Sequence, residues 1–204
     1  EVAIGYVDDG RKPVCHTYFD RGDEPTTFDK WPRIVVVVRD KGKPPARRGS
    51  LLRSLRQAVT LATTDHFSGH GAADNHYRSG FAALDQWAAQ LADDARFDGR
   101  EQPALDRALH ANAWTYRSLA DCRAAAARYL RSIGGEFPAA NDRLSAAADL
   151  YDRIVGTLRT GWDNAPFEWE LQGKPWTKEM RLAEADVLRE ALALERQAVS
   201  KIEA

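Results

Sequence analysis

One stretch constrains this chain more than any other. Residues 103–133, PALDRALHANAWTYRSLADCRAAAARYLRSI, hold no glycine, and no proline after the first position. Ala, Leu and Arg dominate the stretch, and all three favour helix. Pro103 suits a first helical position, and the Gly134-Gly135 pair supplies a stop. The stretch predicts about thirty helical residues, near 45 Å at about 1.5 Å per residue.

At roughly 100° per residue, Leu105, Leu109, Ala113, Tyr116, Leu119, Ala120, Ala127 and Leu130 make one apolar stripe. Ala104, Ala111, Trp114, Ser118, Cys122, Ala125 and Tyr129 make a second, small-residue stripe opposite, leaving charge to a narrow strip with Arg117, Asp121 and Arg128. A helix apolar nearly all round is a buried one, so this helix is expected to be the central post of the fold. Asn112 and Arg123 interrupt the first stripe, and a buried guanidinium needs a carboxylate or several carbonyls.

Four more helices are legible on the C-terminal side of a basic, Pro-containing linker (41–49). Ser50 caps a run to about Thr64, with Leu51, Leu52, Leu55, Ala58, Val59 and Ala62 on one face. A second run starts at Tyr77 or Gly80 and ends near Ala95, with Tyr77, Phe81, Leu84, Trp87, Ala88 and Leu91 inward. Asn141 to Thr160 carries a Leu144, Ala148, Tyr151, Val155, Leu158 stripe, and the last helix spans about Thr177 to Ile202. Short links between long helices imply antiparallel neighbours. The fold expected is mainly α, an antiparallel bundle of about five helices over 50–204, preceded by a small β segment of two or three strands over 1–40.

In that β segment, residues 1–8 alternate, Asp8-Asp9-Gly10 is a turn signal, and 13–19 is a return strand. Residues 33–39, RIVVVVR, form a β-branched run that wants burial on both faces. These strands either pack on the helices or end a sheet that begins before Glu1. An unpaired edge at 34–38 also offers a docking line for a second copy, so a homo-oligomer is one expectation.

Composition excludes several classes. The net charge of −1 over 204 residues, with both signs interspersed, gives no case for nucleic acid or an anionic membrane. No apolar run approaches a membrane span. Two cysteines, Cys15 and Cys122, make no disulfide framework and suit a reducing, cytoplasmic setting. No cofactor motif is present. Cys15-His16 is not a catalytic pair, because adjacent strand residues point to opposite faces. Cys122, on the small-residue stripe, is expected to be a buried small hydrophobe.

The last helix holds the sharpest anomaly. Glu195 falls amid Val187, Leu188, Ala191, Leu192, Ala198, Val199 and Ile202, with Glu184 three turns earlier almost beneath it. A carboxylate there must be paired, protonated or bound to metal. It is a structural partner of Arg123, Arg181 or the Trp-rich segment 161–176, a polar pocket floor, or a metal ligand. A metal-dependent site would use His66, His70 and His76 with Glu195, yet Gly69 and Gly71 break the helix that would align the first two histidines. His110 lies near the charged strip and is expected to be exposed. The aromatic set Trp87, Trp114, Tyr116, Trp162, Phe167, Trp169 and Trp176 suits a lid over a small ligand.

Residues 2–10 (VAIGYVDDG) resemble the strand after the active-site histidine in papain-like cysteine proteins of the C39-like and butirosin-biosynthesis-H-like kind. Residues 75–91, 112–133 and 188–204 are similar to the helical region that follows there. The resemblance implies an acyl- or peptidyl-transferring cysteine enzyme, or a degenerate relative. Its nucleophile and histidine precede this strand and map onto no residue here. The chain is then expected to be the helical recognition portion of such a protein, with no complete catalytic site, binding a small molecule or a peptide- or carrier-borne ligand between helices. The expected lining is His76, Asp85, Trp87, Asn112, Tyr116, Arg123 and Glu195.

Overall fold

A computed structural model describes residues 2–16, 24–31, 42–68 and 76–203. The chain divides into two compact units, 1–44 and 45–204.

Among its described residues the first unit holds a three-stranded antiparallel sheet in the order β1 (Val2–Val7), β2 (Lys12–His16), β3 (Thr26–Thr27). Asp8, Asp9 and Gly10 take positive φ in succession (60°, 53° and 84°). Gly, and Asp more than most residues, tolerate that region. The Arg11 N–H donates to the Asp8 carbonyl at 3.1 Å and closes the turn. Val7 then pairs with Lys12 and Val2 with His16, with a bulge between Ala3 and Gly5. Cys15 is buried and His16 exposed, as the alternation of a strand requires. The third described strand is the short Thr26–Thr27 pairing with Val14 and Cys15; the run expected at 33–39 and the end of the return strand, with all of 17–23, lie outside the described residues.

The second unit is the helical bundle: α1 (Arg47–Thr63), α2 (Gly80–Ala92), α3 (Gln102–Ile133), α4 (Asn141–Thr160) and α5 (Lys178–Glu203). The helix expected from Ser50 begins three residues earlier, so Arg47–Gly49 belong to it and not to the linker. Between α1 and α2 the glycine-rich segment ends in a two-stranded ladder, β4 (His66–Ser68) with β5 (His76–Arg78). Tyr77 therefore sits in a strand, and α2 starts at Gly80. That glycine has φ +54°, and a Cβ on it would strike the backbone carbonyls of Leu61 and Ala62. The close approach of α1's last turn thus requires glycine.

α4 realises its predicted stripe in full: Leu144, Ala148, Tyr151, Val155 and Leu158 are all buried. It packs along both α3 and α5, while α5 also packs against α2 and α1. The post of the bundle is thus α5, not α3. On α3 the first stripe is buried as expected at Leu109, Ala113, Tyr116, Ala120, Ala127 and Leu130. The second stripe is exposed from Ala111 through Trp114, Ser118, Cys122 and Ala125 to Tyr129. Ala, Ser and Cys bury too little area to demand a partner helix, and Ala favours helix wherever it stands. Cys122 is accordingly an exposed thiol and not a core residue. α1 likewise buries only Leu55 of its apolar face, leaving Leu52 exposed.

α3 does not stop on a left-handed glycine. Gly134 has φ −52° and opens a short 3-10 turn, Gly134–Glu136. It is glycine because the Asn141 carboxamide lies against its Cα, where a Cβ would stand. Gly161 plays the same part after α4, beneath the Tyr116 hydroxyl and Val187.

Candidate functional site

Two buried polar pairs cross the bundle from α3 to α5, and each starts from a residue that interrupts an apolar stripe. At the first, the Asn112 Nδ2 donates to both carboxylate oxygens of Glu184 at 2.9 and 3.0 Å, and the Trp87 Nε1–H donates to Asn112 Oδ1 at 2.8 Å. Glu184 is 0 % exposed. Burial pushes its carboxyl up to about 8, and the Asn112 hydrogen bonds offset only part of that rise. A neutral acid in the core is the consequence at neutral pH.

At the second pair, the Arg123 Nε–H donates to Glu195 Oε2 at 2.6 Å. Glu195 is 5 % exposed, while the Arg123 side chain keeps 24 % of its surface in water. Beside them, burial pushes the Tyr151 phenol up to about 12, with the Glu195 charge adding to the effect. Of the roles open to Glu195, the geometry assigns the ion pair with Arg123. Tyr116, between the two pairs, donates from its hydroxyl to the Leu158 carbonyl at 2.6 Å and meets Trp87 edge-on at 6.2 Å between centroids. Burial, then the nearby Glu184, raises its phenol too.

Of the expected lining, Trp87 and Asn112 border an open cavity. It lies between α2 and α3, has a volume of about 420 Å³, and is walled by Trp87, Leu91, Phe97, Leu105 and Trp176 with Asn112 at its floor. Its size falls within the range of about 300–1,000 Å³ usual for small-molecule sites. Phe97 and Trp176 meet edge to face at 5.6 Å, and Arg181 stacks on Phe97 at 4.1 Å while pairing with Asp94 at 3.0 Å. Ala108 and Ala111 form an exposed edge, and Arg96 and Arg100 reach it from the segment joining α2 to α3.

The other expected lining residues fall elsewhere. Asp85 is exposed on α2 because its position lies off the Leu84–Ala88–Leu91 stripe. Tyr116, Arg123 and Glu195 are spent inside the bundle. His76 belongs to β5, and its side chain lies outside the described residues, as does His70. Among the described residues no group of three or more metal-ligating side chains converges. Phe97, Arg96 and Arg100 border the cavity without being part of the expected lining, and Glu184 lies behind Asn112 as its buried partner. The Glu184 signal was present, an acid beneath Glu195 on the apolar face of α5. Phe97 and the two arginines sit in an irregular segment that no periodicity reports.

The Trp-rich segment does fold over α3, at the outer stripe. Phe167 stacks on Trp169 at 4.3 Å, and Trp114 meets Phe167 at 5.1 Å. His110, exposed as expected, is nevertheless engaged at both ring nitrogens: Nδ1 lies 2.8 Å from Glu168 Oε1, and Nε2 accepts from the Trp114 indole N–H at 3.0 Å. Arg117 lies over Trp162 at 4.0 Å and pairs with Glu170 at 3.1 Å. Trp114 and Trp169 stay 52 % and 57 % exposed. Only Trp176 of this segment reaches the cavity, its indole N–H bonded to the Asn164 carbonyl at 3.0 Å. The segment is a brace along α3 more than a lid.

Comparison with protein-family models, curated proteins and solved structures finds no match for this chain. No helix among the described residues is long and apolar enough to cross a membrane.

Proposed function

We propose that the helical unit is a small-molecule recognition domain whose site is the α2/α3 cavity. One observation carries the reading: a cavity of ligand size has aromatic walls whose polar groups are already bonded to the protein. The Trp87 and Trp176 N–H groups go to Asn112 and the Asn164 carbonyl, and Asn112 is taken up by Trp87 and Glu184. The Thr115 hydroxyl donates to the Ala111 carbonyl at 2.7 Å. What remains to a ligand inside is apolar surface with the Gln90 carboxamide in the α2 wall, and the main reward for entering is burial of its own apolar surface. Among the described residues the wall holds no cysteine, histidine or carboxylate. The cavity is equipped to hold a molecule rather than to attack one.

The test is titration with a neutral fluorescent probe, N-phenyl-1-naphthylamine, of the chain and of its Ala108→Trp variant. Ala108 is exposed at the cavity edge, so an indole there fills the opening without entering the core. Saturable probe binding lost in the variant, at unchanged melting temperature, is expected. Binding that the variant leaves intact overturns the site, and no binding overturns the function.

The companion proposal, that this domain serves a papain-like, C39-like acyl- or peptidyl-transferring protein, rests on the resemblance of residues 2–10, 75–91, 112–133 and 188–204 to that family. The intact mass and N-terminal sequence of the product of the native gene test it. A cysteine and histidine upstream of Glu1 support it, and a native start at Glu1 removes it.

A further inference from the structure

The charges around the α2/α3 cavity are one-sided. Among the described residues that line it, the ionisable ones are Arg96 and Arg100, and no acid joins them. Both are exposed, and among the described residues neither side chain is engaged in an ion pair or a ring contact. Other arginines around this site are committed: Arg181 to Asp94 and Phe97, Arg117 to Glu170 and Trp162. Two acids of the same segment are turned to other work, while Glu101, beside Arg100, is exposed and stands outside the cavity lining. Asp93 accepts from the Ala95 N–H, and Asp94 is held by Lys178 and Arg181. Asp98 lines a separate cavity with Leu171 and Lys174.

The two arginines also sit at one end. Antiparallel α2 and α3 place Leu91 and Leu105 near the connecting segment that carries Arg96 and Arg100, and Ala83 and Thr115 at the far end. From Leu105 to Thr115 the α3 wall runs about 15 Å at about 1.5 Å per residue. The site is therefore a largely apolar trough, with its indole, Asn112 and Thr115 donors used up, the Gln90 carboxamide in its α2 wall, and two guanidinium groups at one mouth. A guanidinium is matched to a carboxylate by its planar fork.

Resting on the proposed function above, we infer that the ligand is an acyl carboxylate of medium chain length, its chain along the α3 wall and its carboxylate between Arg96 and Arg100. Neutral or cationic molecules of the same length fill the trough but leave the arginines unpaired. The exposed mouth makes the head-group interaction salt-sensitive, whereas the chain interaction is not.

Displacement of N-phenyl-1-naphthylamine by decanoate, 1-decanol, decylammonium and decyl phosphate tests this. Decanoate is expected to compete at least about tenfold better than decanol, as charge-assisted hydrogen bonds imply, and decylammonium worst. Octanoate is expected to bind more weakly than decanoate by about fourfold per methylene removed. R96Q/R100Q keeps probe and decanol affinity and brings decanoate to the level of decanol. Decanoate no better than decylammonium, or unaffected by R96Q/R100Q, overturns the inference while probe binding still upholds the site. Decyl phosphate exceeding decanoate by tenfold overturns the carboxylate assignment in favour of a phosphate head.

Discussion

Glu184→Gln puts the least expected feature of the bundle to a quantitative test. The carboxyl is fully buried, and it titrates at about 8 in the folded chain against an ordinary 4.5. Between those values the folded state keeps a proton that the unfolded state has lost, so stability falls as pH rises. Below about pH 4.5 both states are neutral and the full stability is present. Above about pH 8 the loss is complete, and at about 1.4 kcal/mol per pH unit it amounts to about 5 kcal/mol. About 3 kcal/mol of it has accrued by pH 7. Glutamine keeps the shape, still accepts from Asn112 Nδ2, and cannot ionise. E184Q is therefore expected to match the wild type near pH 4.5 and exceed it by about 3 kcal/mol at pH 7, a Tm gain of about 6–12 °C for a chain of this size. Urea titrations at half-unit intervals from pH 4.5 to 8.5 measure the difference directly, and titrations common to both proteins cancel. Parallel pH profiles, or a variant less stable at pH 8, would show that the carboxylate is charged and satisfied in the fold, and the desolvation argument would fall.

The remaining predictions concern neighbouring contacts. Glu195→Gln is expected to cost about 1–3 kcal/mol by urea unfolding, because it strands a half-buried Arg123; unchanged decanoate affinity would confirm that the pair braces the bundle, and a binding loss at unchanged stability would return Glu195 to the site. Tyr116→Phe removes one buried hydrogen bond, but the Leu158 carbonyl still accepts from the Gly161 N–H at 3.1 Å, so a loss of only about 1 kcal/mol is expected in thermal melts. Gly161→Ala drives a methyl group into the Tyr116 hydroxyl and against Val187. A loss of about 2 kcal/mol is expected, and because the clash is with the hydroxyl, the Tyr116→Phe background should relieve part of it in a double-mutant cycle.

Periodicity made the bundle legible because α4 and α5 each bury one continuous apolar face, and a face of that kind can be read from spacing alone. The same spacing misjudged α3. Its outer stripe has helical spacing, but apart from Trp114 and Tyr129 it is Ala, Ser and Cys, with too little apolar area to need burial under another helix, and a wheel diagram treats Ala111 and Leu109 alike. The polar interruptions were a better guide than the stripes. Asn112 and Arg123 stood out because apolar faces exclude such groups unless they are bonded, and each proved to reach an acid on α5.

The sequence by itself determined the number, type and near ends of the helices, the hairpin at Asp8-Asp9-Gly10, and the need of Asn112, Arg123 and Glu195 for partners. All of these follow from local conformational preference and from the cost of burying an unbonded polar group. Only the tertiary structure decided that Glu195 takes Arg123 while Glu184 takes Asn112, since the two acids lie on one face of α5 and the choice depends on how α3 is set against it. The cavity, too, belongs to the packing: it exists because α2 and α3 stand apart, and Phe97, Arg96 and Arg100 reach it from a segment whose path no periodic pattern encodes.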